Sequence, residues 1–299
     1  MAIEKGAEEI GAAIQRALQR KEGLLVGRNG TIELETLLFK LYQSKPKQDY
    51  PSAIKRRMEM NAGIFPVTQV SLDRWVFMML EAIRNCDLLV SGWYKPLEAM
   101  EETLLQNIIT NATRIQLRSL EPYYVEPEQR WTRFLAGQKV AIVNSFAKTA
   151  MEQIQKREEI WPLHTDSILP PNVEWIPICT GYSPSLAQGQ AEWPKDIQSW
   201  DVAVNSVVKQ VVESGARIAL IGCGGLGLAI GSELKKRGVI CIILGGAIQV
   251  LFGIKGNRWE THNVIKHFWN DAWVYPKESE TPGGSWMIEA ACYWQNKKN

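Results

Sequence analysis

The stretch Arg217–Trp259, RIALIGCGGLGLAIGSELKKRGVICIILGGAIQVLFGIKGNRW, restricts the fold of this 299-residue chain more than any other part of it. Ile218 to Ile221 is a short apolar run that ends in glycine, the pattern of a strand buried on both faces of a parallel sheet. Gly222, Gly224, Gly225 and Gly227 then let the backbone turn sharply with no Cβ in the way. A helix is expected from Leu226 to Arg237, closed by Lys235, Lys236 and Arg237 in its last turn and by Gly238 beyond it. A second apolar run, Val239 to Leu244, leads into Gly245 and Gly246. The stretch therefore reads as strand, glycine turn, helix, strand.

Gly222, Gly224 and Gly227 satisfy GxGxxG, and free amides at a helix start suit a phosphate. A dinucleotide site also needs an acidic residue at the end of the following strand to hold the ribose. Leu244-Gly245-Gly246 stands there instead, which argues against nicotinamide chemistry. A different nucleotide and a tight packing turn with no ligand both remain open.

The same alternation extends along the chain. Ile3 to Arg20 is an amphipathic helix with Ile10, Ile14 and Leu18 on one face, set apart as residues 1–22 from an α/β domain over 23–299. Leu24 to Val26 is a strand that runs into Gly27-Arg28-Asn29-Gly30-Thr31-Ile32-Glu33-Leu34 and a helix from Leu34 to Gln43. A strand followed by a polar, glycine-punctuated turn and a helix is where α/β proteins place chemistry. Thr31 is a candidate cap for that helix and Glu33 a favourable first-turn acid. Arg28 is a planar cation suited to a phosphate or carboxylate. Tyr50 to Pro66 reads as a loop carrying Lys55, Arg56 and Arg57 on a solvated face. A helix from Leu72 to Asn85 should bury Trp75, Met79 and Ile83, with a strand over Asp87 to Trp93 and a helix opening at Pro96. Further strands are expected at Arg114 to Leu120, Val140 to Val143 and Val173 to Ile178, a helix from Ser145-Phe146 to Glu159, and a long helix from Ile197 to Glu213. Proline and glycine around 121–138 mark the best place for a lobe boundary.

A helix over Ala247 to Phe252 leads to Gly253-Ile254-Lys255-Gly256-Asn257-Arg258-Trp259, where Lys255 and Arg258 either neutralise a diphosphate or are exposed charge. The aromatic tail, Trp269 to Trp294 with Glu289 and Tyr293, should fold back as a lid or pack across the strands. Strand and helix alternation throughout implies an α/β fold with a Rossmann-like, mostly parallel sheet and helices on both faces.

Charge narrows the partners. With 34 basic and 32 acidic residues the net charge is +2, so nucleic acid is not the expected partner. No run approaches the length of an integral membrane segment. Five scattered cysteines suggest reduced thiols and a cytoplasmic setting, and three histidines form no zinc motif. Twelve tryptophans suit core packing, with carbohydrate stacking as the alternative.

Several segments together resemble the GT-D-like glycosyltransferases of bacteria and viruses, over roughly Leu24 to Trp294. They are Gly27-Arg28-Asn29-Gly30 with Glu33, Asn61-Ala62-Gly63-Ile64-Phe65-Pro66, and Leu120-Glu121-Pro122-Tyr123-Tyr124 ahead of Lys139-Val140-Ala141-Ile142-Val143. The likeness continues through Ala219-Leu220-Ile221-Gly222-Cys223-Gly224, Leu244-Gly245-Gly246-Ala247, Leu251 to Gly256 with Arg258-Trp259, and Ala291-Cys292-Tyr293-Trp294. In that family an arginine, glycine and DxE pattern at the end of the first strand is implicated in holding a metal and a sugar nucleotide. Arg28, Gly30, Thr31 and Glu33 occupy those positions here, and Thr31 replaces the first carboxylate. One carboxylate and a hydroxyl clasp a hard cation more weakly than two carboxylates, which puts the family's Mn or Mg in question.

The resemblance implies a glycosyltransferase that takes a nucleoside diphosphate sugar and a glycan acceptor in polysaccharide or glycan synthesis. Its expected catalytic residue is Glu33, as base or metal ligand. Arg28 with Lys255 or Arg258 would hold the diphosphate, and Gly222, Gly224, Gly225, Gly245 and Gly246 would let the nucleotide approach. Asn29, Gly30, Thr31, Asn61, Gln249 and Trp259 complete the expected binding set. The picture requires the loops bearing Glu33 and Lys255 to converge over one edge of the sheet. Its rivals are a non-catalytic sugar-nucleotide or glycan-binding module and an NAD(P)-dependent oxidoreductase.

Overall fold

Seven strands form one sheet: β1 (Leu24–Arg28), β2 (Leu88–Val90), β3 (Thr113–Ile115), β4 (Lys139–Asn144), β5 (Glu174–Cys179), β6 (Ile218–Gly222) and β7 (Ile240–Ile243). They are seen in a computed structural model that describes residues 2–43, 48–108, 110–288 and 291–295. The spatial order is β3-β2-β1-β7-β6-β4-β5, and every pairing between these strands is parallel. The fold is thus α/β with a Rossmann-like sheet.

Alternation along each strand explains why the sheet is covered twice. Leu25, Leu89, Ala141, Val143, Ala219, Ile221, Cys241 and Ile243 belong to one core, with the helices Gln69–Arg84, Trp200–Ser214 and Gly227–Lys235. Leu24, Val26, Leu88, Val90, Val140, Ile142, Ile218, Leu220, Ile240 and Ile242 belong to the other, with Ile10 and Ile14 of the helix Ile3–Arg20. Residues one apart on a strand point to opposite faces, so an unbroken apolar run serves two cores at once. The two edge strands, β3 and β5, are the exceptions, mostly exposed or half-buried.

The first helix packs closely because it is small on its inner face. A Cβ on Gly6 would collide with Ser119, and one on Gly11 would come 2.8 Å from the Phe134 ring. Near 121–138 the chain makes short 3-10 turns, Pro122–Tyr124, Pro127–Gln129 and Trp131–Leu135, with Trp131 fully buried. Strands from both sides of these turns pair through β1 and β7.

Several expected boundaries shift. The helix after β1 spans Thr31–Tyr42, not Leu34 onward, and its N-cap is Gly30 with no side-chain cap bond, so Thr31 is the first helical residue and not the cap. Tyr50 to Pro66 contains a helix, Ser52–Met60, which buries Ile54, Met58 and Met60 beneath its basic surface. The strand expected over Arg114 to Leu120 is three residues long, and Leu117–Leu120 turns into a 3-10 helix. The helix over Gln69–Arg84 buries Trp75, Met79 and Ile83 as expected, and its N-cap is Thr68, whose side chain accepts from the Ser71 amide.

Among the described residues no helix is long and apolar enough to cross a membrane.

Candidate functional site

In a parallel sheet all carboxyl ends lie on one edge, and ligands bind in the crevice beyond them where the strand order reverses. Here the chain runs outward from β1 to β3, then builds the other half and returns through β6 to β7 beside β1. A cavity of 510 Å³ opens above that point. All seven strands contribute to it: Arg28, Trp93, Arg118, Asn144, Thr180, Gly222 and Gly245 lie at or just beyond the ends of β1 to β5, β6 and β7 respectively and line the cleft.

Glu33 enters it from the first turn of the helix Thr31–Tyr42. Only 9% exposed, its carboxylate folds back over the N-cap, and a Cβ on Gly30 would overlap it. The helix dipole favours an anion there. Burial nevertheless raises the Glu33 pKa above the ordinary carboxylate range, opposed by a hydrogen bond to its own backbone amide and by the nearby Arg28 cation.

Arg28 lies under the opposite influence. Burial weakens its basicity first, while Glu33 and, more weakly, Tyr293 and Glu121 sustain its charge and Arg258 opposes it. Its guanidinium carbon lies 5.2 Å from the centre of the Trp93 ring, a cation–π contact that holds the fork in place.

The Gly245-Gly246 pair explains why no acidic residue stands at the end of β7. A Cβ on Gly245 would come 2.7 Å from Arg28 Nη1, and one on Gly246 would come 3.0 Å from the Tyr293 ring and 3.2 Å from Arg258 Nη1. Two glycines let two cationic side chains pass over the strand end. Arg258 in turn lies 4.5 Å over the Tyr293 ring and donates to its hydroxyl at 3.2 Å. Gly245 has φ +57°, so Gly245→Ala costs about 1 kcal/mol in backbone strain alone. The expected outcome is a modestly lowered Tm together with weakened anion binding as Arg28 is pushed aside; unchanged anion affinity would show that Arg28 does not depend on this close approach.

The other glycine turn behaves differently. The Gly225 amide donates to the Ala62 carbonyl at 2.8 Å, a Cβ on Gly224 would come 2.8 Å from that same oxygen, and the Trp75 indole donates to the Gly225 carbonyl at 3.0 Å. Gly222 is closed in by Ile248 and the Gly245 carbonyl, and its own carbonyl accepts from Asn144 Nδ2. The free amides expected at this turn are thus corrected in part: the Gly225 donor is taken by protein. Gly222, Gly224 and Gly225 line the cleft, but their close packing answers to Ala62, Trp75 and Ile248.

The remaining expected residues divide. Gly30, Thr31, Asn61, Gln249, Arg258 and Trp259 line the cleft with Glu33. Asn29 does not; its side chain is buried and donates to Glu101 Oε1 at 3.5 Å, while its carbonyl accepts from the Trp93 indole at 3.2 Å. Gln249 acts as a brace, donating to the carbonyls of Lys255 and Tyr293 at 3.1 and 2.6 Å. Lys255 is the clearest correction. It is outside the cleft lining, with its ammonium 5.5 Å from the centre of the Trp269 ring, next to the Ile254–Val274 bridge. Arg258, three residues on, takes the cleft position instead. The expected convergence of Glu33 with Lys255 therefore fails, and the residue that shares the cleft with Glu33 is Arg258.

The tail packs beside the site. Tyr293 and Trp294 line the cleft, and the Asn257 and Arg258 amides donate to the carbonyls of Trp294 and Cys292 at 3.1 and 3.0 Å. Glu289 lies outside the described residues.

The same cleft holds a second polar cluster, Arg118, Glu121 and His262, that was not among the expected site residues. Glu121 is 5% exposed, and its pKa is raised chiefly by burial, with Arg118 and the Tyr123 hydroxyl acting to lower it. The Arg118-x-x-Glu121 spacing, followed by two tyrosines, was the available signal. His262, brought in from 144 residues further along, had none.

The protein donors that a divalent cation would meet here are few. Glu33 offers one carboxylate beside a Thr31 hydroxyl, with the Arg28 charge as its electrostatic neighbour. Among the described residues no three His, Cys, Asp or Glu side chains are grouped to hold a metal ion. The cations this cleft brings to a bound anion are arginines. Comparison with known proteins found no matching family model, no matching curated protein and no matching solved structure.

Proposed function

We propose that the protein is a glycosyltransferase that takes a nucleoside diphosphate sugar and transfers the sugar to a hydroxyl-bearing glycan acceptor. The observation that carries this is the meeting of Arg28 and Arg258 above Gly245-Gly246, with the buried Glu33 alongside, in a large cleft at the switch point of a parallel sheet. Planar guanidinium groups suit the oxygens of a diphosphate, and a partly dry site strengthens that attraction. Trp93, Tyr123 and Tyr293 supply apolar faces for a base or sugar ring.

In the proposed step, the acceptor oxygen forms a bond to the anomeric carbon as the bond from that carbon to the diphosphate oxygen breaks. Glu33 takes the acceptor's proton, and Arg28 with Arg258 neutralises the charge left on the departing diphosphate. No step uses a metal.

The posture of Glu33 favours one other reading. A carboxylate turned back onto its own helix start serves that helix, which suits a non-catalytic sugar-nucleotide-binding module. A thermal-shift screen of nucleoside diphosphate sugars and NAD(P), with and without Mn or Mg, followed by an assay for released diphosphate, tests both. Stabilisation by a donor at 100 times its Kd should amount to about 2.7 kcal/mol, independent of metal. Binding without release or transfer selects the binding module. No stabilisation by any nucleoside diphosphate sugar sinks both, and a response to NAD(P) alone would restore the oxidoreductase.

A further inference from the structure

The arginine on the β3 side of the cleft is not used in the proposed transfer, although it is held with care. Arg118 Nη1 donates to both carboxylate oxygens of Glu121 at 3.1 and 3.0 Å. The Tyr123 hydroxyl steadies that carboxylate from the other side at 2.9 Å, and the Arg118 guanidinium carbon lies 4.5 Å over the Tyr124 ring. Fixed in this way, and 35% exposed, Arg118 turns Nη2 toward His262 Nε2 at 3.4 Å.

The state of His262 follows from its other nitrogen. The backbone amides of Val264 and Ile265 both donate to Nδ1, each at 3.2 Å. An imidazole nitrogen that accepts carries no proton, so in the neutral ring the proton is on Nε2. The Arg118 charge and burial both disfavour a second proton, burial being the larger cause. Nε2–H and Nη2–H are then two donors facing one another, and two donors cannot satisfy each other. An acceptor oxygen reached by both removes the conflict, and an anionic oxygen removes it best. Both side chains line the cleft that holds Glu33, Arg28 and Arg258, and Glu121 lies in electrostatic reach of both Arg118 and Arg28.

We propose that Arg118 and His262 form a two-donor seat for an anionic oxygen, a carboxylate or phosphate carried by the sugar or by the acceptor. This rests on the sugar-nucleotide reading for its place in the reaction, and it makes the substrate acidic at a point separate from the diphosphate. Arg28 and Arg258 serve the diphosphate; Arg118 and His262 serve the second charge.

Calorimetric titration of the full chain with UDP, UDP-glucose and UDP-glucuronate, and, in separate arms with UDP added to fill the diphosphate site, with inorganic phosphate, glucose and glucose 1-phosphate, tests the seat. If the anion is a carboxylate on the donor, UDP-glucuronate binds about tenfold more tightly than UDP-glucose. If it is a phosphate, glucose 1-phosphate shows the preference over glucose instead. In either case the ratio of anionic to neutral ligand affinity falls to about one in both Arg118→Gln and His262→Ala. His262→Ala matters because Arg118→Gln leaves Glu121 buried without its cation and is a risk to folding. A ratio near one in the wild type, or one that survives His262→Ala, overturns the seat. Failure of every UDP ligand, with a phosphate preference that His262→Ala abolishes, overturns the nucleotide reading and leaves the seat standing.

Discussion

Glu33→Gln is expected to slow glycosyl transfer about a thousandfold, the scale of a lost general base. Donor affinity should hold or tighten, because the substitution removes the negative charge that competes for Arg28. The fold should tolerate it, since glutamine keeps the shape and burial already penalises the charged form of Glu33. The pH dependence has a definite sign. A base must be deprotonated to act, so wild-type turnover rises with pH through a point displaced above the ordinary carboxylate range, and the variant lacks that rise. For stability, a raised folded-state pKa means a contribution fully present below the unfolded-state pKa and lost as pH climbs through the folded-state value. Wild type should therefore lose stability relative to Glu33→Gln across that window. Wild-type rates in Glu33→Gln, measured as diphosphate release under saturating donor, would remove Glu33 from the mechanism.

The second large effect concerns the fold beneath the site. Trp75 is fully buried and its indole donates to the Gly225 carbonyl at 3.0 Å, tying the helix Gln69–Arg84 to the glycine turn. Trp75→Ala opens a cavity and strands that carbonyl, at a cost of about 4 kcal/mol. For a chain of this size that corresponds to a fall in Tm on the order of 10 °C. Trp75→Phe, which fills most of the space but donates nothing, should lose about 2 kcal/mol. Calorimetric melting of both variants separates cavity from hydrogen bond. An alanine variant that melts with the wild type would mean that the turn is held by something other than this packing.

The glycine unit from Arg217 to Trp259 was legible because its signals are local. Apolar runs such as Ile218 to Ile221 can be satisfied only between two covered faces, and both faces of β6 are covered. The helix Ser52–Met60 was not legible, because its three buried residues sit among Lys55, Arg56 and Arg57 and only the neighbouring core makes them an apolar face. Arg28 and Glu33 stood out as polar groups on a strand-to-helix turn, and the structure places both in the cleft. Lys255 and Arg258 could not be told apart in the sequence. Only the folded chain separates them, with Lys255 against Trp269 and Arg258 against Tyr293, contacts of which the adjacent residues carry no sign.

The sequence by itself determined the α/β alternation, the double burial of the strands and the turn that carries Arg28 and Glu33, because each follows from the chemistry of a few adjacent residues. Tertiary structure alone decided that Arg258 rather than Lys255 meets Arg28, that the Gly225 amide goes to Ala62, and that Arg118 faces His262. Those outcomes depend on the order of strands in the sheet, which brings the ends of distant segments to one edge and is fixed by the packing of the whole chain.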